Sequence, residues 1–385
     1  MKRVSVLLVL ILVIAIMSYI AMYAGHFLLP DMEKEKENEN EMKTEDIKDS
    51  EPEEVEHHPV KYYHLSKNIN GNKQELNILE INPAHEKVVV KPVLAQDSIF
   101  GFESLSEMAA RSNAYAAVNA GFFYEYGQPS GMVAIDGRLI TASTGQYPVF
   151  ILSGGKAEFK EMDMELWISY GTGRIPVDSL NTLGKKGNAV VYTPDFGRTN
   201  RAEEANITVV IRNNTVESIS EYSKPAEIPK DGLLLTFYKP YKYDLDNIPL
   251  RIGEKVEFIS DPAVAKGSQA YECGDWIVRN GEIVIGERSR WVGALGNRDP
   301  RTAIGIKKDG TIVLMTVDGR QPGHSIGLTG KELGSFLLDY GVVDAAMLDG
   351  GASTEMVLEG NIVNKVSYSG PERLIAGAIA VITED

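Results

Sequence analysis

Asn119, Asp349, Arg301, Asp318 and Arg320 are the residues whose surroundings suggest chemistry. Two largely apolar runs each end in a polar side chain beside glycine: Ala114 to Val118 runs into Asn119-Ala120-Gly121, and Val342 to Leu348, apolar except at Asp344, runs into Asp349-Gly350-Gly351. A strand that ends this way presents a functional group at a sheet edge and leaves the backbone open to a ligand. Either residue alone could simply cap a turn. Finding the order helix, apolar strand, polar residue and glycine twice favours the functional reading. A third feature adds charge. The runs Arg301 to Lys308 and Thr311 to Asp318 flank Asp309-Gly310, a two-residue hairpin signal. That turn predicts Lys308 opposite Thr311 and Arg301 opposite Asp318, with Arg320 on the Asp318 face if the strand continues. One reading is a surface ion pair, worth little. The other is a pair of guanidinium groups able to grip a phosphate, one of them oriented by a carboxylate.

Two helices and many short strands must position these groups. Ser104-x-x-Glu107 and Thr329-x-x-Glu332 are capping boxes, and the second precedes Leu333, Phe336, Leu337 and Tyr340 at helical spacing before Gly341. Elsewhere, β-branched or aromatic runs are broken by Asp136-Gly137, Asp231-Gly232, Asn280-Gly281 and Asp309-Gly310. The expected class is α+β: mixed, largely antiparallel strands with a few helices. Trp167, Trp276 and Trp291 could stack on sugar faces, although packing is the commoner use of tryptophan. His324 shows no partner in the sequence, and Cys273, the single cysteine, excludes an intramolecular disulfide and any cysteine-cluster metal site.

The runs Asn119-Ala120-Gly121-Phe122-Phe123, Arg301-Thr302-Ala303-Ile304-Gly305, Asp318-Gly319-Arg320, Gly327-Leu328-Thr329 with Glu332-Leu333, and Leu348-Asp349-Gly350-Gly351-Ala352-Ser353-Thr354 resemble, in order, the motifs of the phosphodiester glycosidase family. The resemblance covers the chain from about residue 60 to its end. It extends more weakly to Leu180-Asn181 and to Val191 through Gly197. It implies hydrolysis of a sugar-1-phosphodiester at the glycosidic bond, in envelope or exopolysaccharide context, leaving a phosphomonoester. Under that implication Arg301 and Arg320 stabilise the departing phosphate, and Asp349 is nucleophile or water-activating base. Asp318 orients Arg301 or serves as a second carboxylate. Asn119, Gly121, Thr302, Gly319, Gly350, Gly351 and Ser353 line the substrate. No cofactor is required, although Asp318 and Asp349 could ligate a divalent cation in a metal-assisted phosphodiesterase. A glycan-binding module without activity is the other alternative.

The chain has 385 residues and a net charge of -15. Asp31 to Glu56 carries 13 acidic and 4 basic residues, and no basic stripe suited to a phosphate backbone occurs, so no nucleic-acid partner is expected. Lys2 and Arg3 precede Val4 to Leu29, a run without Asp, Glu, Lys or Arg, of which Val4 to Ala24 spans about 31 Å as a helix, enough to cross a bilayer. Residues 1–30 are therefore expected to be an uncleaved transmembrane anchor and 31–58 a disordered acidic tether. Residues 59–385 would be the folded domain, held outside the cytoplasm at the cell membrane.

Overall fold

The computed structural model describes residues 53–57 and 59–384. The expected anchor and most of the expected tether lie outside the described residues. Among those described, no helix is long and apolar enough to cross a membrane.

Two antiparallel sheets form the frame. The first contains β1 (Glu53–His57), β2 (Val60–Ile69), β3 (Asn72–Ile81), β6 (Trp276–Arg279), β7 (Glu282–Ile283), β8 (Arg301–Lys307), β9 (Ile312–Val317) and β10 (Val342–Met347), in the order β1-β2-β3-β9-β8-β10-β6-β7. The second contains β4 (Val88–Leu94), β5 (Ala116–Asn119), β11 (Met356–Leu358), β12 (Asn361–Ile362) and β13 (Gly377–Thr383), in the order β12-β11-β5-β13-β4. One core joins them: Leu79, Ile304, Leu314, Ala346 and Leu348 from the first pack with Val90, Val118, Met356 and Ile379 from the second. Glu53–His57 falls in the stretch assigned by composition to the tether, yet it pairs with β2.

Each sheet also carries a helix on its outer face. Helix α1 (Leu105–Arg111) packs Leu105 and Met108 on Ala117, Val357, Ala378 and Ala380. Helix α2 (Gly330–Asp339) packs Leu333 and Leu337 on Ile277, Ala303, Val313, Met315 and Val317. Both capping boxes form in full, Ser104 with Glu107 and Thr329 with Glu332. Strands covered on both faces need apolar side chains on both, so β5 is apolar as far as Val118 and β10 is apolar except at Asp344, whose Oδ1 accepts the Asn280 N–H. The intervening residues build two further five-stranded sheets, a three-stranded one and a two-stranded one, and the three-stranded sheet shares a second core with one of the five-stranded sheets around Ile168, Val191, Val209 and Phe237.

The class is thus β-rich, with helices of seven and ten residues in a largely antiparallel frame, where α+β was expected. Capping boxes are strong local signals, so the two helices weigh more in the sequence than in the fold. Asp136-Gly137 and Asn280-Gly281 are two-residue hairpins, with Ile135 opposite Arg138 and Arg279 opposite Glu282. Asp309-Gly310 is not one.

Candidate active site

The repeated pattern brings its two polar ends together. Asn119, at the end of β5, donates through Nδ2 to the Asp349 carbonyl at 2.7 Å across 230 positions of sequence. The same amide donates to the Ala120 carbonyl at 3.1 Å and accepts at Oδ1 from Thr302 Oγ1 at 2.7 Å and from the Glu355 N–H at 3.2 Å. Both donors and the carbonyl oxygen of Asn119 are spent inside the protein, and the residue is 1% exposed. Asn119 and Thr302 therefore clasp the two sheets and fix the loop that follows β10. They do not offer hydrogen bonds to a ligand, as the sequence reading expected. Gly121 is likewise committed: its N–H donates to Tyr271 Oη at 3.1 Å, and a Cβ there would lie 2.8 Å from the Tyr271 ring.

The loop after β8 has three residues, Lys308 to Gly310, because the Lys307 N–H bonds the Thr311 carbonyl and Gly310 adopts φ +92°. Type I turns followed by a left-handed glycine make such loops. The register moves by one residue from the expected pairing: Arg301 stands opposite Val317, not Asp318. Because side chains alternate between faces, this one-residue shift sends Arg301 and Asp318 to opposite faces of the sheet. The expected Arg301–Asp318 pair does not form. Arg301, 2% exposed, donates from Nε to the Leu328 carbonyl at 2.9 Å and from Nη2 to the Asn297 carbonyl at 2.8 Å. Burial lowers its pKa, and the charge of Arg320 nearby adds to this while Asp299 opposes it. Asp318, also 2% exposed, accepts from the Lys365 N–H, from Asn364 Nδ2 and from His324 Nε2 at 2.8 Å. It is a buried anchor for His324 and for the Asn364–Lys365 segment, partners that no local pattern connects to it.

Arg320 and Asp349 do meet the same loop. Arg320 holds φ +60°, donates from Nε to Asp299 Oδ1 at 2.9 Å, and remains half-exposed. Gly351, at φ +64°, lets the guanidinium close in: a Cβ there would be 3.1 Å from Arg320 Nη2. Gly319 and Gly350 lie against Pro300, and the Gly351 N–H donates to the Pro300 carbonyl at 2.9 Å. Further along the loop, Arg373 Nη1 donates to Ser353 Oγ at 2.7 Å, and Ser353 donates onward to Asp349 Oδ2 at 2.7 Å. Arg373 itself stands 3.9 Å from that carboxylate and 5.6 Å above the Phe123 ring. The Asp349 side chain keeps 16% of its surface exposed. Burial raises its pKa, with the Ser353 hydrogen bond and Arg373 acting in the opposite direction.

Two guanidinium groups thus meet the segment Asp349 to Ser353, Arg320 at Gly351 and Arg373 at Ser353 and the part-exposed Asp349 carboxylate. Arg373 was not found from the sequence, because Pro371-Glu372-Arg373 belongs to no recognised run. Glu355 was also missed, though a charge inside Thr354-Glu355-Met356-Val357-Leu358 is conspicuous. Its carboxyl is pushed up to about 8 by burial and by hydrogen-bonded Glu372. Among the described residues, no three His, Cys, Asp or Glu side chains group so as to hold a metal ion, and Asp318 and Asp349 are committed to different partners.

Residues 205–382 match the phosphodiester glycosidase family. Over 204 residues the chain is 30% identical to the SPbeta prophage-derived uncharacterized protein YomE of Bacillus subtilis, a match covering 49% of this chain and 31% of that protein. Over 103 residues it is 35% identical to N-acetylglucosamine-1-phosphodiester alpha-N-acetylglucosaminidase of Homo sapiens, covering 23% of this chain and 19% of that enzyme. The match thus spans about a third of the bacterial relative and about a fifth of the human one. The crystal structure of a hypothetical protein from Synechocystis superposes with a TM-score of 0.72 at 21% identity, over 84% of this chain and 62% of that one, a likeness of fold.

Proposed function

With residues 205–382 a phosphodiester glycosidase domain, we propose that the protein hydrolyses the glycosidic bond of a sugar-1-phosphodiester, N-acetylglucosamine-1-phosphodiesters being the first class to test. The observation that carries this reading is one short loop, Asp349 to Ser353, on which Arg373 stands 3.9 Å from the Asp349 carboxylate and Arg320 closes on Gly351. A phosphate monoester is a weak base, with its higher pKa about 6, so its departure from the anomeric carbon needs charge stabilisation more than a proton. Arg320 and Arg373 supply that charge. As the C1–O bond breaks, its electron pair goes to the phosphate oxygen and positive charge gathers on the sugar ring. Asp349 faces that carbon as nucleophile or as the base that takes a proton from the attacking water. Arg301 holds the Asn297 and Leu328 carbonyls and so positions the loops that carry Asp299 and Arg320. The expected anchor would put this chemistry on the outer side of a membrane, with envelope or extracellular glycans as the source of substrate.

The test is to incubate the full chain with sugar-1-phosphodiesters in water labelled with heavy oxygen and to find the label by mass spectrometry. Label on the released sugar is the expected result. Label on phosphate identifies a P–O-cutting phosphodiesterase, and sugar-phosphate binding without turnover identifies a glycan-binding module. Either overturns the proposal.

A further inference from the structure

Strand β10 runs toward Asp349, and beside its other half opens a groove of about 370 Å³, within the range of small-molecule sites, about 300–1,000 Å³. Asp344, the one charge in that strand, lines the groove and stands about 10 Å of extended chain before Met347, the last strand residue. Its Oδ1 accepts the Asn280 N–H at 2.8 Å, in the turn between β6 and β7, and a carboxylate keeps further lone pairs beyond that bond. From β6 come Trp276 and Arg279. The Arg279 guanidinium lies 5.0 Å over the Trp276 ring and donates from Nη1 to Glu161 Oε1 at 2.9 Å, an oxygen that also accepts from Trp276 Nε1 at 3.2 Å. That bond uses one of the five N–H donors of a guanidinium. Phe159, on the same strand as Glu161, tilts on Trp276 with centroids 5.3 Å apart. Lys160, also in the lining, pairs with Glu158 at 2.7 Å.

A half-exposed ion pair adds little stability and aspartate is disfavoured in strands, so the sheet accounts for neither the Arg279–Glu161 pair nor Asp344. What these residues do is hold donors, acceptors and aromatic rings in one recess, fixed by contacts across 115 and 118 positions of sequence. An anion there meets Glu161 and Asp344, an organic cation meets Arg279 and Lys160, and an apolar ligand leaves the polar wall without partners. A neutral ring carrying several hydroxyls suits all of it: each hydroxyl both donates and accepts, and the C–H face packs on an aromatic side chain. We propose that Trp276, Arg279, Glu161, Asn280 and Asp344 form a saccharide-binding groove separate from the Asp349 site. Its chemistry is recognition alone, and it depends on no step of the reaction proposed above.

The proposal is tested by tryptophan fluorescence on the full chain carrying Asp349→Asn, in a detergent without a sugar headgroup, because Trp276 reports on the groove itself. The probes are the methyl glycosides of glucose, galactose, mannose and N-acetylglucosamine, with inorganic phosphate and putrescine as charged controls. The expected result is a saturable change with at least one glycoside and with neither control, lost when Trp276→Phe is added. Its midpoint should rise about tenfold or more in Asp344→Asn and in Arg279→Ala, with unfolding temperatures near that of the parent. Asp344→Asn keeps an amide oxygen for the Asn280 N–H, so it removes the charge and not the turn. No saturable change with any of the four glycosides overturns the proposal, as does a change that persists in Trp276→Phe or a midpoint unmoved in both folded groove variants. A response to phosphate or putrescine in place of the glycosides also overturns it. None of these outcomes requires turnover, so the heavy-oxygen experiment can fail or succeed independently.

Discussion

Arg320 and Arg373 are both partly exposed and both touch the Asp349 loop, while Arg301 is buried against two carbonyls. Lysine in place of Arg320 or Arg373 keeps the charge but loses the planar fork, so kcat/KM on a cleaved sugar phosphodiester should fall on the order of a hundredfold, with the unfolding temperature unchanged. Arg301→Lys should behave differently. Lysine cannot span the Leu328 and Asn297 carbonyls together, so the variant should lose about 1–3 kcal/mol of stability, measured by denaturant unfolding. Asp349→Asn should abolish turnover and keep the fold. Because burial holds the Asp349 carboxyl above its ordinary value, the acid limb of kcat/KM should lie above the usual carboxylate range, activity disappearing as pH falls through that raised pKa. A limb at or below pH 4 would remove Asp349 as the titrating group. At this scale Asp349 and Arg320 were legible because glycine marks the loops around them. Arg373 was not, because its partner Ser353 lies 20 positions away and only the fold joins them.

The elements were legible where their signal was local. Both capping boxes give reciprocal bonds in the structure, and the apolar runs beyond them are the doubly covered strands β5 and β10. The hairpin β8–β9 was misread because Asp-Gly serves two-residue and three-residue loops alike, both needing glycine in the left-handed region. A single residue of loop then decides which face Arg301 occupies. Gly310 sits at φ +92° with open space around the position a Cβ would take, so Gly310→Ala adds backbone strain without a clash. The variant should be destabilised by about 1–2 kcal/mol, lowering the unfolding temperature by a few degrees, while the register and kcat/KM at 25 °C are kept. An unchanged unfolding temperature would show that the turn relaxes to another form at no cost. Sheet order was beyond the sequence: β3 pairs with β9, and β5 with β13, across stretches that no short-range pattern connects.

At the scale of the whole chain, the acidic and apolar N-terminal stretches predict a protein that stays in the membrane fraction at high salt and leaves it only with detergent. Release by salt would show that Val4 to Ala24 does not anchor it. Stability of the folded part should depend on pH through Glu355. This residue lies where the second sheet, helix α1 and the Asp349 loop converge: its N–H bonds Asn119, its carbonyl accepts from the Asn119 N–H, and its partner Glu372 accepts the Ser106 N–H in the first turn of α1. Burial first, and then Glu372, raises the Glu355 carboxyl from 4.5 to about 8. Between those values the native state holds a proton that the unfolded chain has released. The contribution is therefore fully present below about pH 4.5, falls as pH rises, and is gone above about pH 8. The buried Asp349 carboxyl, also raised, acts in the same direction. Glu75, Glu103 and Glu332, whose values are lowered, act oppositely, but only on the acid side of 4.5. The unfolding temperature should thus decline from pH 5 to pH 8, and Glu355→Gln, which carries a permanent amide where the acid carries its proton, should flatten that decline. Scanning calorimetry of both proteins at pH 5, 6.5 and 8 measures it, and equal slopes in parent and variant would exclude Glu355 as the source. Because Glu355 and Glu372 share a hydrogen bond, the titration belongs to the pair, so Glu372→Gln should also shift the decline, bringing it to lower pH by removing the second charge.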